Sequence, residues 1–375
     1  MRALLLVTAL LLGALVALGC GDDHLPRDGG VGFPDTGMPD EDAGDDDAGI
    51  AACSCTVGSH NDLVYLMSDT GELWSWDPTM PADFAFVAGP VCLGMRPYSM
   101  AVDASGIAHI VFAGSLAILT IDVNDPGSCE DSGYVRTNPD FGLFGMSFAS
   151  NSTTDICADL YVHTYDGDGP FEEGPGFGKL GVIDAETMEL TEIAEIDYDG
   201  GELTGTGDGR LFAFAGADPV KLVEYDRSTG AVLETIPLTG VRKTNASAMA
   251  FHSGDIYIFV EAVPEECNTC LETTCPVDYE ACRMDDTCIE HLECAISEAG
   301  VRDECGGLLS VDMMTCLTTC GDPCFRPPRA RVSRVLHFDL DDSDGGGRAV
   351  TEVVAQAPIR VVGAASSPCV QTIPF

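Results

Sequence analysis

From about residue 60 onward the chain is built of short apolar stretches with polar residues at alternate positions, and five of them close on an aspartate and a turn: 74–77, 119–122, 181–184, 223–226 and 336–339, ending in Asp77, Asp122, Asp184, Asp226 and Asp339. Alternation with period two over four to eight residues predicts half-buried strands. Each is preceded by a second strand, at 63–66, 107–111, 160–163, 211–214 and 256–259. Four of these have a third ahead of them, rich in small residues, at 100–102, 146–148, 203–206 and 249–251. Tight turns of Gly, Ser, Asn and Asp, such as 103–106 and 207–209, join the third strand to the second. A fourth strand follows each aspartate turn, as at 232–236 after 227–230.

The unit is therefore four antiparallel strands, a to d, and the aspartates recur at spacings of 45, 62, 42 and 113 residues. The two long spacings hold insertions. One small sheet cannot bury both of its faces, so repeated sheets of this kind stack around an axis, and the predicted fold is all-β, a β-propeller. A plain sandwich also has short alternating strands but does not require this periodic register. Small residues on strand a fit the crowded innermost position.

The first unit lacks a strand a ahead of Leu63, while the chain ends with a spare one at 361–365. Closure of the ring by that last strand gives five blades. A competing parse takes 52–57 as the missing strand and leaves the C-terminal one to open a sixth, incomplete blade. Under closure, Cys369 meets Cys53 or Cys55 on one face, a staple between distant ends of the chain. Sequence does not pair Cys92, Cys129 and Cys157. Strand direction also puts both insertions, 165–176 in blade 3 and 263–331 in blade 5, on one face as b–c connections. The N-terminal segment enters on the other.

The blade 5 insertion carries Cys267, Cys270, Cys275, Cys282, Cys288, Cys294, Cys305, Cys316, Cys320 and Cys324. Helical spacing is read over 279–297, with Ile289, Leu292 and Ile296 on one stripe, and again over 311–319. Two short helices bury too little to fold alone, so these cysteines are expected to pair among themselves. The Cys267-x-x-Cys270 spacing also suits zinc, but an oxidising compartment favours bridges.

That compartment is read from the N-terminus. Residues 1–19 have the charged start, apolar run and small-residue exit of a signal peptide, and Cys20 follows as in a bacterial lipobox, with Ala17 where leucine is usual. Cys20 is the expected lipidation site. Residues 20–51 hold ten acids among Gly and Pro and read as a solvated tether. The domain boundaries follow: 1–19, 20–51, propeller 52–263, insertion 264–326, propeller 327–375. The expected location is the cell envelope, lipid-anchored and extracytoplasmic.

The net charge is −43, from 61 acids and 18 bases, which excludes nucleic acid as a partner because phosphate is bound by Lys and Arg. An envelope or extracellular protein or glycan is the expected partner. No nucleophile elbow, zinc-protease motif or phosphate loop occurs in the sequence. His60, His109, His163, His252 and His337 are scattered over the blades, and no catalytic residue is assigned. The five turn aspartates read as turn caps. Two acidic clusters are the calcium candidates, Asp166 and Asp168 with Glu172 and Glu173, and Asp341, Asp342 and Asp344; neither has full calcium-loop spacing. No cofactor is expected other than calcium at one of these clusters. The reading is a binding or scaffold lipoprotein acting through the insertion-bearing face, with a hydrolase or lyase at the ring axis as the alternative.

The segments 97–103, 144–149 and 202–212, with the ending 361–369, resemble a family of secreted proteins and lipoproteins from myxobacteria, and the insertion is similar to helical cysteine-rich modules of surface proteins from the same group. The resemblance spans residues from about 60 to the end, the insertion apart. It implies a propeller at the cell surface and brings no catalytic residue with it.

Overall fold

The computed structural model describes Cys55 and residues 62–369, apart from 93, 128, 166–172, 217–218, 242–243, 245, 286–287, 289–290, 293–294, 297–308, 326–330, 344 and 346. All of these belong to one compact unit, Ala51–Phe375. The expectations for Cys20, Cys53, His60, Asp166, Asp168, Glu172, Ile289, Cys294, Cys305 and Asp344, and for the leader and tether, lie outside the described residues.

Five four-stranded antiparallel sheets form a five-bladed propeller. Blade 1 holds β1 (Val64–Ser68), β2 (Leu73–Trp76) and β3 (Phe84–Ala88), with β20 (Val361–Ser366) as its innermost strand. Blade 2 holds β4 (Arg96–Val102), β5 (Ile107–Ala113), β6 (Ile118–Asp122) and β7 (Glu130–Asp131). Blade 3 holds β8 (Leu143–Ser150), β9 (Ala158–Tyr165), β10 (Glu173–Ile183) and β11 (Leu190–Tyr198). Blade 4 holds β12 (Glu202–Gly205), β13 (Leu211–Ala215), β14 (Lys221–Tyr225) and β15 (Val232–Pro237). Blade 5 holds β16 (Ser247–His252), β17 (Asp255–Glu261), β18 (Ser333–Asp339) and β19 (Val350–Val354).

The last strand closes the ring, β20 pairing antiparallel with β1 from Val64 opposite Ser366 to Ser68 opposite Val361. Just beyond its end, Cys369 is disulfide-bonded to Cys55, across a sequence separation of 314. The core lies between blades. Trp76 of blade 1, fully buried, meets Tyr257 and Phe259 of blade 5 edge-on at 5.1 and 5.7 Å. Burying large apolar side chains of this kind contributes roughly 2–3 kcal/mol each.

The inner strands are joined by hydroxyls as well as by fit. Ser99 Oγ accepts the Met146 N–H at 3.2 Å, Ser147 Oγ the Gly205 N–H at 2.8 Å, and Thr204 Oγ1 the Phe251 N–H at 2.8 Å. Ser366 Oγ donates to Phe251 O. Each bond links the innermost strand of one blade to that of the next.

Two expectations need correction. The blade 3 insertion is shorter than 165–176, because Glu173–Gly176 already belongs to β10, with Glu173 opposite Tyr198. The insertion in blade 5 holds α1 (Glu265–Thr274), which the apolar pattern did not indicate, then α2 (Pro276–Arg283) and α3 (Val311–Cys320). A single helix over 279–297 does not form: α2 stops at Arg283, and Asp285 Oδ1 accepts the Cys288 N–H at 3.2 Å, capping a fresh helical start. Cys267–Cys324, Cys270–Cys320 and Cys275–Cys316 form a ladder between α1 and α3, and Cys282–Cys288 closes the α2 turn. Cys92 pairs with Cys129. No helix among the described residues is long and apolar enough to cross a membrane.

Candidate functional site

Strand direction divides the ring into two faces. The a–b and c–d turns lie on the face that carries the Cys55–Cys369 bridge. The b–c and d–a connections lie on the other, and there the cysteine-rich insertion leaves after Glu261 and returns at Ser333.

On this second face three adjacent blades bring polar side chains together near the axis. Tyr98 and Ser99 stand on β4, Tyr165 ends β9, and Asp199 and Glu202 lie where β11 turns into β12. Ser99 Oγ donates to Glu202 Oε2 at 3.0 Å, joining blades 2 and 4 past the inner strand of blade 3. The Tyr98 and Tyr165 rings stack at 5.9 Å with an interplanar angle of 8°. Glycine makes the approach possible: a Cβ on Gly145 would lie 2.2 Å from Gly201 O, and one on Gly201 would lie 2.7 Å from His163 Nε2.

Asp199 and Glu202 are only 4% and 8% exposed. Burial first, then the charge of Glu202, followed by Tyr165 and Asp199, pushes the Tyr98 hydroxyl well above its usual range, so it remains a protonated donor. The mouth is thus acidic and aromatic, suited to a cationic or hydroxyl-rich group. The Ser99 hydroxyl donates to Glu202 and accepts the Met146 amide. A further groove of about 700 Å³ runs along the seam of blades 1 and 5, between Trp74 and Phe84 on one side and Val353, Val354 and Pro358 on the other.

The structure does not bring the described histidines into one pocket. His109 lies 3.6 Å from Asp103, His163 Nδ1 accepts the Gly201 N–H at 3.0 Å, His252 Nε2 bonds Asp62 O at 3.1 Å, and His337 Nε2 lies 3.1 Å from Asp255. Each ring has its own local partner. The turn aspartates are likewise occupied. Asp77 accepts the Thr79 N–H at 2.9 Å, Asp122 that of Asn124 at 2.8 Å, Asp184 that of Thr187 at 2.7 Å, Asp226 that of Ser228 at 2.9 Å and Asp339 that of Ser343 at 3.1 Å.

Of the calcium candidates, Glu173 pairs with Lys221. Asp342 accepts the Gly347 N–H at 2.8 Å. Asp341 gathers with Asp255 and Asp339, one oxygen of each lying within 4.8 Å of the others. Three carboxylate oxygens are at most half of the roughly six to eight ligands calcium takes. Burial alone would raise the Asp341 carboxyl, but hydrogen bonds from Ser343 and Asp339 outweigh it and hold it below the usual range. Cys275, Asp278 and Cys316 also approach one another, but the two sulfurs are bonded to each other and offer no thiolate.

The acidic mouth escaped sequence reasoning because Ser99 and Glu202 are 103 residues apart and neither belongs to a motif. The one available signal was polar residues on strands otherwise built of small and apolar ones.

No family model matches the chain, and no curated protein matches it. Among solved structures it is similar to a chain of the nidogen/laminin complex, with 13% identity over 52% of this chain and 69% of that one and a TM-score of 0.34. A streptogramin B lyase matches with 15% identity over 54% of this chain and 59% of that one, TM-score 0.33. A hydrazine synthase of Kuenenia stuttgartiensis matches with 13% identity over 77% and 65%, TM-score 0.34. At these identities and scores the matches carry no functional argument.

Proposed function

We propose that this chain is a binding or scaffold module of the cell envelope that engages an envelope or extracellular protein or glycan through the insertion-bearing face of the propeller. Lipidation at Cys20 and the 20–51 tether would anchor it, in keeping with the myxobacterial surface lipoproteins it resembles. The observation that carries this reading is placement: the insertion and the acidic mouth share one face, and the Cys55–Cys369 bridge, where the N-terminal segment joins, lies on the other. Irregular segments on a rigid scaffold are where recognition usually resides. The disulfides themselves belong to an oxidising, extracytoplasmic setting.

The test replaces residues 264–330 with a short Gly/Ser linker, keeps Arg331, and measures binding of the purified protein to solubilised envelope proteins and isolated envelope glycans. The expected result is a loss of at least tenfold; unchanged binding overturns the role of the insertion. The alternative, a hydrolase or lyase at the axis, draws on Asp199, Glu202 and Tyr98. It predicts chemical change in a bound glycan that disappears in Glu202→Gln, whereas the binding reading predicts that the ligand is recovered intact.

A further inference from the structure

The strand that closes the ring is led in by residues 357–360, and this lead-in is bonded to the stalk of the cysteine-rich insertion. Ala357 N donates to Ser333 O at 2.7 Å, and Ser333 N donates to Ile359 O at 2.9 Å. Ser333 Oγ then accepts the Val361 N–H at 2.9 Å. Ser333 is the first residue of β18, to which the insertion returns. The two stalks are tied by Ala262 N donating to Val332 O at 2.9 Å.

A layer of buried charge lies over this backbone seam. Arg360, immediately ahead of β20, pairs with Glu261 and lies 3.3 Å from Asp69 in the β1–β2 turn. Arg331, on the returning stalk, reaches Glu261 Oε2 at 3.5 Å and donates from Nη2 to Ile296 O inside the insertion at 2.6 Å. The side chains of Arg360, Glu261 and Arg331 are 3%, 5% and 6% exposed. Among the described residues two guanidiniums thus face two carboxylates, and Glu261 is shared between a cation of the closing segment and a cation of the insertion.

We propose that the cysteine-rich insertion is a second lock on ring closure, so that its seating and the pairing of β20 with β1 form one cooperative unit. The first lock is covalent, Cys55–Cys369, beyond the end of β20; the second is ionic and hydrogen-bonded, at its start. Withdrawing Arg331 removes one of the two cations that Glu261 is seen to face, and a buried network missing one member is strongly destabilised. The cost falls on Arg360, and therefore on the strand it introduces. A partner that pulled on the insertion would act on the closure of the ring. The proposal goes beyond the binding reading and does not depend on it.

The test is amide hydrogen exchange followed by mass spectrometry on the purified mature protein with no partner present. In Arg331→Gln, exchange across 361–366 is expected to accelerate at least tenfold, with β8 and β12 unchanged. The acceleration should be greater still in a Cys55→Ser/Cys369→Ser background. Arg331→Lys, which keeps the charge, should show a smaller effect of the same pattern and serves where the Gln variant does not fold. Arg210→Gln, which breaks the Arg210–Glu224 pair on blade 4, is the control and should leave 361–366 as in the wild type. Acceleration confined to 264–326, with 361–366 protected as in the wild type in both backgrounds, overturns the proposal.

Discussion

Thr204 shows how much of this ring depends on single hydroxyls. Its Oγ1 holds the Phe251 amide at 2.8 Å in a buried position between blades 4 and 5. Thr204→Val keeps the shape and strands a buried donor, so it should cost about 1–3 kcal/mol in urea denaturation, while Thr204→Ser should cost less. His252 makes a pH-dependent contribution. Burial holds its imidazole below the usual range, although the bond to the Asp62 carbonyl and the charges of Asp77 and Asp62 oppose this. The folded state then takes up a proton less readily than the unfolded chain. Its stability is complete above about pH 6.5 and is lost as pH falls through the lowered folded value. His252→Asn should flatten that part of the stability profile between about pH 6.5 and 5, read as the change in Tm between the two. At this scale the sequence was only half legible. Small residues on inner strands were explicable by crowding, but the partner of each hydroxyl sits on another blade, and no local pattern carries that information.

Among the elements, those with a period were readable and those held by sulfur were not. The five Asp-ended strands and their neighbours appeared because alternation reports which face is buried, and the spare strand at 361–365 followed from counting. α1 stayed hidden because its buried stripe is Cys267 and Leu271, with cysteines standing where Leu or Ile would mark a helix. The spacings 267–270 and 316–320 are helical, while Cys275 and Cys324 lie just past the ends of α1 and α3. The break after Arg283 is not legible because Leu292 and Ile296 continue an apolar stripe past the turn that Asp285 caps and Cys282–Cys288 closes. The covalent lock has a magnitude that can be checked. Removing it in Cys55→Ser/Cys369→Ser frees the unfolded chain over a 314-residue separation, for an expected loss of about 2–5 kcal/mol by denaturant titration. A loss under about 0.5 kcal/mol would mean that β20 is held by its pairing and its seat on the insertion alone.

For the whole molecule the dominant unbalanced quantity is charge. Of the 61 acids and 18 bases, 51 acids and 16 bases fall at or after residue 52, so even complete pairing leaves most carboxylates without a cation. Compaction brings these charges together, and their repulsion opposes folding. Salt acts on both sides of this balance. It weakens exposed ion pairs such as Arg348–Glu234, at 2.7 Å, but such pairs contribute only about 0–1 kcal/mol each. It also screens the far more numerous repulsions, over a Debye length that falls from about 30 Å at 0.01 M to about 10 Å at 0.1 M. Repulsion therefore decides the sign, and Tm should rise with NaCl between about 0.01 and 0.5 M, with most of the gain below about 0.15 M where screening changes fastest. Removing residues 20–51 should leave that slope largely intact, because the excess acids lie chiefly in the propeller and its insertion. A Tm that is flat or falls with salt would show that the ion pairs, few as they are, outweigh the repulsion. The buried Glu261–Arg331–Arg360–Asp69 cluster, shielded from the solvent ions, would then be the place to look for the difference.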